Sequence, residues 1–324
     1  MPVSTSAPER IATEYAAARE GAALALLDDR GVLAVTGPQR QKFLHNMLSN
    51  DVASLAPGQG ALASLMDVKG HLLALMRVLV TENAVLLELP QQRLAKVNET
   101  LLFYKVGAPV RFEERKDVVL AVLGPRAKAV LAAPELPNEA HLAREIGGAP
   151  ARIARASDLP AGGFVVHVAP DHVASVRQAL SDAGAVPIAR ETFDVLRIED
   201  GRPWYGADVT EDHLLHETGL LREYHSSSKG CYVGQEVVAR LEGRGGNVNK
   251  LLRGLRLEAA AARGDVVRRE GKDVGTITSA GVSPRLGAIA LAYLHRSAFE
   301  PGTLVDVGGR PATVVAPPFA REAA

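Results

Sequence analysis

The sequence predicts an α+β body built on antiparallel sheets, followed by a small β-barrel. Two observations predict it. Paired strand patterns alternate with helical spacing up to about residue 248, and short strands separated by Gly/Pro turns take over after Asn249. A third is the length of 324 residues with 47% hydrophobic residues, enough for one large core or several smaller ones. Aromatic residues make up only 4%, so Ala, Val and Leu must fill that core.

In chain order, residues 10–27 have helical composition, and the Ser-, Ala- and Pro-rich first ten resemble a frayed terminus. Residues 1–21 read as a disordered or helical extension. Gly31 to Val35 alternates as a strand, and a helix is expected from Pro38 to Asn50. Ala61 to Met66 and Leu72 to Val80 read as strands joined across Lys69-Gly70-His71, with Ala84 to Leu89 a further strand. Leu94, Val97 and Leu101 mark a helix within Gln91 to Tyr104. Val118 to Leu123 reads as a strand and Pro125 to Ala133 as a helix. Pro134 to Gly163 is rich in Pro and Gly and reads as a surface insertion. Phe164 to Val168 is a strand, His172 to Gly184 a helix, and Glu191 to Glu199 an amphipathic helix. The expected division is a body over 22–248, a barrel over 249–318 and a tail over 319–324.

Formal net charge is zero, which excludes a global polyanion binder, and no stable nucleic-acid binding is expected. No apolar run reaches the ~18 residues of a membrane span, and no basic flank or cleavage pattern marks a signal peptide. A cytoplasmic protein without a membrane partner is the expectation. The single cysteine excludes an internal disulfide and a zinc cage made by thiols.

That cysteine stands in Lys229-Gly230-Cys231-Tyr232-Val233-Gly234-Gln235-Glu236, which continues to Arg240. Residues 222–256 hold seven Lys/Arg against three Glu. A thiol titrates near pH ~8.5, and neighbouring cations or a helix N-terminus favour the thiolate. Lys229, Arg240 and a helix opening at Gly234-Gln235-Glu236 would supply both, while Gly230 and Gly234 shape the turn. Cys231 is therefore the candidate catalytic residue. An unreactive Cys in a tight turn is the alternative on residue types alone.

The run K-G-C-Y-x-G-Q-E-x-x-A-R resembles the signature of the YgfZ family, within the superfamily of the glycine-cleavage T-protein. Phe193 to Pro203 and Tyr205 to Asp208 resemble the superfamily's R-x-E-x-G-x-P segment and its sequel. Gly275 to Ser279, Ser283-Pro284 and Gly287 to Leu294 resemble its barrel. Thr36-Gly37, Phe43-Leu44 and Asp67 to Gly70 resemble its opening strands. The resemblance spans about residues 22–318. It implies a body and barrel around a central cavity, with tetrahydrofolate or a derivative as cofactor. It further implies a monomer acting in assembly or repair of iron–sulfur enzymes, with client or assembly proteins as partners. Gln235 and Glu236 would anchor the loop or meet a partner.

By the same resemblance Glu199 contacts folate. Phe193 and Tyr205 or Trp204 offer an aromatic wall, and Arg197 is a further candidate for cofactor binding. An ordinary amphipathic helix is the alternative. T-protein transfer chemistry uses an aspartate in a G-I-x-D-D segment. Here the matching stretch is Gly70-His71-Leu72-Leu73-Ala74-Leu75, without an acid, which weakens a folate-dependent one-carbon transferase reading. A tRNA-modification accessory factor is a further alternative. His213 and His216 share a helical spacing, yet without a clear third ligand no metal site is expected.

Overall fold

In the computed structural model, which describes residues 6–319, two open sheets and a closed barrel share one chain. Helix α1 (Ala7–Glu20) starts at Ser6, whose backbone N–H and hydroxyl both donate to the Glu9 carboxylate. Strands β1 (Ala23–Leu26) and β2 (Arg30–Thr36) lead to α2 (Arg40–Met47). Next come β3 (Gly60–Met66), β4 (Leu72–Val80), β5 (Ala84–Pro90) and α3 (Leu94–Tyr104). Then follow β6 (Arg111–Arg115), β7 (Val118–Leu123), α4 (Ala127–Val130), β8 (His141–Ile146) and β9 (Ala149–Arg155). The body closes with β10 (Gly163–Val168), α5 (Val173–Asp182), β11 (Val186–Pro187), α6 (Arg190–Glu199), α7 (Leu221–Tyr224) and α8 (Gln235–Glu242). The barrel uses β12 (Lys250–Leu257), β13 (Val266–Arg269), β14 (Lys272–Ser283), β15 (Gly287–His295), β16 (Leu304–Val307) and β17 (Arg310–Val315).

The first sheet has the order β3-β4-β5-β2-β6 and the second β11-β1-β7-β10-β9-β8. The pairs are antiparallel except β1 with β11, which run parallel. The barrel closes through β12 and β17. Its first strand begins at Lys250.

Side chains alternate across a strand, and that alternation sorts the core into layers. Val32, Ala34, Leu79 and Leu86 of the first sheet meet Val119, Ala121, Leu123 and Val165 of the second. Their neighbours Leu33, Val35, Val78 and Leu87 face α2 and α3 instead. On the second sheet, Leu120, Val122, Phe164 and Val166 face the opposite way, with Val176 and Leu180 of α5.

The same parity drives three polar residues between the sheets. Arg77 on β4, Glu88 on β5 and His167 on β10 are all buried. Arg77 contacts Glu88, Glu139 and Asp158. Glu88 also forms an ion pair with Arg30 at 3.3 Å and accepts from His167 Nε2 at 2.9 Å. The hydroxyl of Tyr224 donates to Asp158 at 3.2 Å. Burial alone would raise the Glu88 carboxyl, but Arg77, His167 and Arg30 overcome it and hold it far below the usual carboxylate range.

Three expectations need correction. Pro134 to Gly163 is no surface insertion: it contains the hairpin β8–β9, which pairs with β10 in the second sheet. Gly147 and Gly148, both at positive φ, form its turn. Strand β6 stands where no element was expected. Of residues 10–27, which have helical composition, only 10–20 belong to α1, whose Tyr15 and Ala18 pack into the core between the sheets, and Ala23–Leu26 form the strand β1. Phe319 packs against Leu252 and Tyr293 of the barrel. The expected frayed residues 1–5 and tail residues 320–324 lie outside the described residues.

Removing Arg77 should leave three buried carboxylates short of a cation. Arg77→Ala is expected to lower stability by about 3–5 kcal/mol in urea unfolding. A loss below about 1 kcal/mol contradicts the network's role. The depressed Glu88 carboxyl contributes stability that is present above its unfolded pKa of about 4.3 and is lost as pH falls toward its folded value. Glu88→Gln should therefore flatten the acid limb of a stability-versus-pH curve; an unchanged limb contradicts the assignment.

Candidate functional site

Cys231 lies in the loop between α7 and α8, and its side chain is exposed and free. The loop is pinned on both sides. Ser226 N–H donates to Ser49 O at 3.1 Å, and the hydroxyl of Ser49 donates to Tyr224 O. Lys229 turns inward: its ammonium donates to His45 O and to Leu48 O, at the C-terminal end of α2. It also lies 4.6 Å from the ring centroid of Tyr232. Burial pushes Lys229 down to about 8, against the pull of Asp51 and Cys231. The cation beside the thiol thus spends its hydrogen bonds on α2 and acts on sulfur through the field alone.

Gly234 takes φ +84° at the start of α8. A Cβ there would come within 2.7 Å of Asp67 O, so the close approach of the β3–β4 turn requires glycine. Gly70 in that turn lies against Val237 of α8. Around Gly230 there is open space. Gln235 and Glu236 form the first turn of α8, and Glu236 is exposed. Arg240 is corrected as a supporter of the thiolate. It sits in the last turn of α8, about 7.5 Å along the helix axis from its start. Tyr232 is buried in the cluster of Leu72, Tyr205 and Tyr224, and its hydroxyl has no partner.

An open chamber of about 500 Å³ lies where β1 turns into β2 and β5 ends. Arg30 pairs with Pro90, and Gln91 N–H donates to Asp29 O at 2.8 Å, so Asp28-Asp29 and Gln91-Gln92 share one rim. Trp204 and Tyr205 form a wall. Trp204 Nε1 and Arg190 both donate to Oδ2 of Asp29, at 2.5 and 2.9 Å. The buried Oδ1 of Asp29 has no partner among the described residues. The guanidinium of Arg30 lies 4.9 Å from the Trp204 ring centroid. A second, enclosed cavity of about 20 Å³ is lined by Leu75, Asp158, Tyr224 and the same two aromatic residues. The two spaces share Trp204 and Tyr205.

Tyr205 lines the chamber and is itself anchored. Its hydroxyl lies 3.0 Å from both Leu72 O and Leu73 O, on the strand that lacks the transferase acid. Leu73, Ala74 and Leu75 are all buried there. Burial pushes Tyr205 up to about 12.

Glu199 and Phe193 are corrected as cavity-facing residues. The Glu199 side chain is inaccessible and fully engaged, by Tyr15 at 2.9 Å, Arg19 at 3.0 Å, Ser283 at 2.7 Å and Arg285. Helix α6 ends at Glu199, so Glu199 ties α1 and the barrel to the body. Arg197 does similar work: it donates to Asp194, to Asp208 and to Ser279 of β14. Phe193 is buried edge-on against Trp204, with ring centroids 5.2 Å apart, behind the chamber wall.

His71 contacts Asp67 at 3.3 Å in the β3–β4 turn. His213 stacks on Tyr293 at 4.1 Å; burial and Lys250 push it down to about 4. Among the described residues no group of three or more His, Cys, Asp or Glu gathers as a metal site. No helix among them is long and apolar enough to cross a membrane. The chamber rim escaped sequence reasoning, although two polar pairs placed at strand ends were its available signal.

The chain matches the GCVT N-terminal domain over residues 3–225 and the glycine cleavage T-protein C-terminal barrel domain over residues 250–320. It is 30% identical to an aminomethyltransferase of Streptomyces coelicolor, over 94% of this chain and 88% of that protein. A putative chloroplastic transferase of Arabidopsis thaliana is 28% identical over 86% of this chain and spans with it 66% of its own length. In fold, it is similar to the glycine cleavage system aminomethyltransferase T of Bartonella henselae, with TM-score 0.85 at 22% identity, covering 96% and 89% of the two chains.

Lys229→Met should remove two hydrogen bonds from the α2 terminus and lower stability by about 1–3 kcal/mol in urea unfolding. An unchanged midpoint contradicts the anchoring role. Iodoacetamide should alkylate Cys231 in the native protein without denaturant; protection until unfolding contradicts the exposed placement.

Proposed function

Because this chain belongs to the glycine cleavage T-protein family, with that family's N-terminal domain and C-terminal barrel, we propose that it is a folate-binding accessory protein acting through the Cys231 thiol. The proposed role is support of assembly or repair of iron–sulfur enzymes, as the YgfZ-like motif around Cys231 implies. The observation that carries it is the pairing of an exposed thiol on a pinned loop with a β4 segment that offers no acid. Aminomethyl transfer needs a group to move a proton at the folate amine. Leu73, Ala74 and Leu75 cannot do so.

The residues of the open chamber fit a reduced folate. A pterin presents an amino-amide edge, and the unpartnered Oδ1 of Asp29 is a buried acceptor for such a donor. The amides of Gln91 and Gln92 add donors and acceptors on the same rim, and Trp204 and Tyr205 supply a flat apolar wall. Bound there, folate supplies one-carbon chemistry or a redox-active ring. The chain's own contribution is to hold the ring and keep Trp204 fixed through Asp29.

Cys231 sits at the other end of the same structural unit. Its helix packs on the turn that opens β4, and β4 runs on to the carbonyls held by Tyr205. One thiolate can hold a cluster iron or a sulfur species only transiently, so a client protein or small thiol completes the ligand set. Similarity to aminomethyltransferases favours a second reading, folate-dependent one-carbon transfer.

Titration with tetrahydrofolate should change Trp204 emission, and Asp29→Asn should weaken binding by about fivefold to tenfold. No change in emission or heat contradicts the folate chamber. In an aminomethyl-transfer assay, folate-dependent ammonia release is expected to be absent. Turnover that survives Cys231→Ser favours the transferase.

A further inference from the structure

A further cavity, of about 420 Å³, opens between the two sheets at the far end of β5 from the folate-candidate chamber. The two ends of β5 are about 20 Å apart, from Ala84 to Pro90. Leu86 forms part of its wall on the first sheet. Arg152 of β9 and His167 of β10 are cross-strand partners, so their side chains share a face of the second sheet. Val165, which has the same parity as His167, lies in the layer between the sheets. Both Arg152 and His167 line the cavity.

The charges there are not balanced. Arg115 forks onto Asp117, at 2.8 and 3.1 Å, and Asp117 is the acid that lines the cavity. Arg152 instead contacts Nδ1 of His141 at 2.8 Å. Burial and Arg152 push His141 down to about 4, so it receives that bond as a neutral ring. Asp117 attracts Arg152 only at longer range, and no carboxylate among the described residues forms an ion pair with this half-buried guanidinium.

His167 supplies an independent pointer to a ligand. Its side chain is only 2% exposed. Nε2 donates to the Glu88 carboxylate, which fixes the proton on that nitrogen. Nδ1 is buried and without a partner among the described residues. Such an atom costs stability unless a donor meets it.

We propose that this inter-sheet cavity is a ligand site for a small hydroxycarboxylate, with the carboxylate on Arg152 and the ligand hydroxyl donating to Nδ1 of His167. The apolar walls suit a short hydrocarbon body. The site is separate from the folate chamber and stands or falls independently of it. Through Glu88 it touches the Arg77 network, so a bound ligand would also stabilise the junction of the sheets.

Saturation-transfer NMR on the full chain, with 2-hydroxybutyrate, butyrate and inorganic phosphate as probes, tests the proposal. Saturable binding of 2-hydroxybutyrate is expected, about fivefold tighter than butyrate because one hydrogen bond is added. Arg152→Leu should weaken it by about tenfold or more, and Arg152→Lys by less, because the charge remains without the fork. If Arg152→Leu fails to fold, the comparison of the two acids on the wild-type chain still decides. No saturable binding, equal affinity for both acids, or an Arg152→Leu protein that binds as well as wild type overturns the site. Phosphate binding tighter than either acid overturns the ligand class.

Discussion

One guanidinium holds the body of this protein together. Arg77 is fully buried between two sheets and reaches Glu88, Glu139 and Asp158, which come from β5, the segment before β8, and the segment after β9. Buried charges are costly unless each finds partners, and removing one member of such a group is more damaging than never having built it. The network therefore fixes how the sheets sit on one another. Arg30 extends it to Trp204, Tyr224 extends it to the small enclosed cavity, and His167 extends it to the inter-sheet cavity. The three spaces described above are thus each bordered by a residue in contact with the Arg77 network.

A second set of polar contacts joins the barrel to the body. Arg197 and Glu199, one near and one at the end of α6, reach Ser279 and Ser283 of β14. These residue types in the R-x-E segment suggest ligand recognition, but here they serve as a clamp. In the proposed folate site, polar recognition falls instead to the rim built by Asp29, Gln91 and Gln92, in front of Trp204. The thiol is set by a similar division of labour. Lys229 and Gly234 hold the loop against α2 and the β3–β4 turn, and Cys231 is left exposed. A reactive group on a pinned loop can meet a partner protein without the scaffold having to open.

Much of the fold was legible because the hydrophobic period is clear. Leu72 to Val80, Ala84 to Leu89 and Val118 to Leu123 are strands by composition and alternation, and the barrel announces itself through its Gly/Pro spacing. Strands β8 and β9 were hidden because Arg144, Glu145, Pro150 and Arg152 dilute the pattern on an edge hairpin. The inter-sheet network was half visible: Arg77 and Glu88 interrupt otherwise apolar runs, a sign of a buried pair. Its other members, Glu139 and Asp158, lie in loops, and nothing local marks them. For Glu199 and Arg240, spacing along a helix did not reveal what lies across from it. Only packing shows that one carboxylate is fully engaged and that one guanidinium lies at the wrong end of α8.

On this scaffold the proposed acting group is a thiol, in place of a carboxylate at a folate amine. The direct measurement is the activity of iron–sulfur enzymes in a strain that lacks its own YgfZ protein and is supplied with wild-type chain or with Cys231→Ser at equal abundance. The account predicts restored cluster-dependent activity with wild type and little or none with Cys231→Ser. Equal restoration by both chains would contradict it.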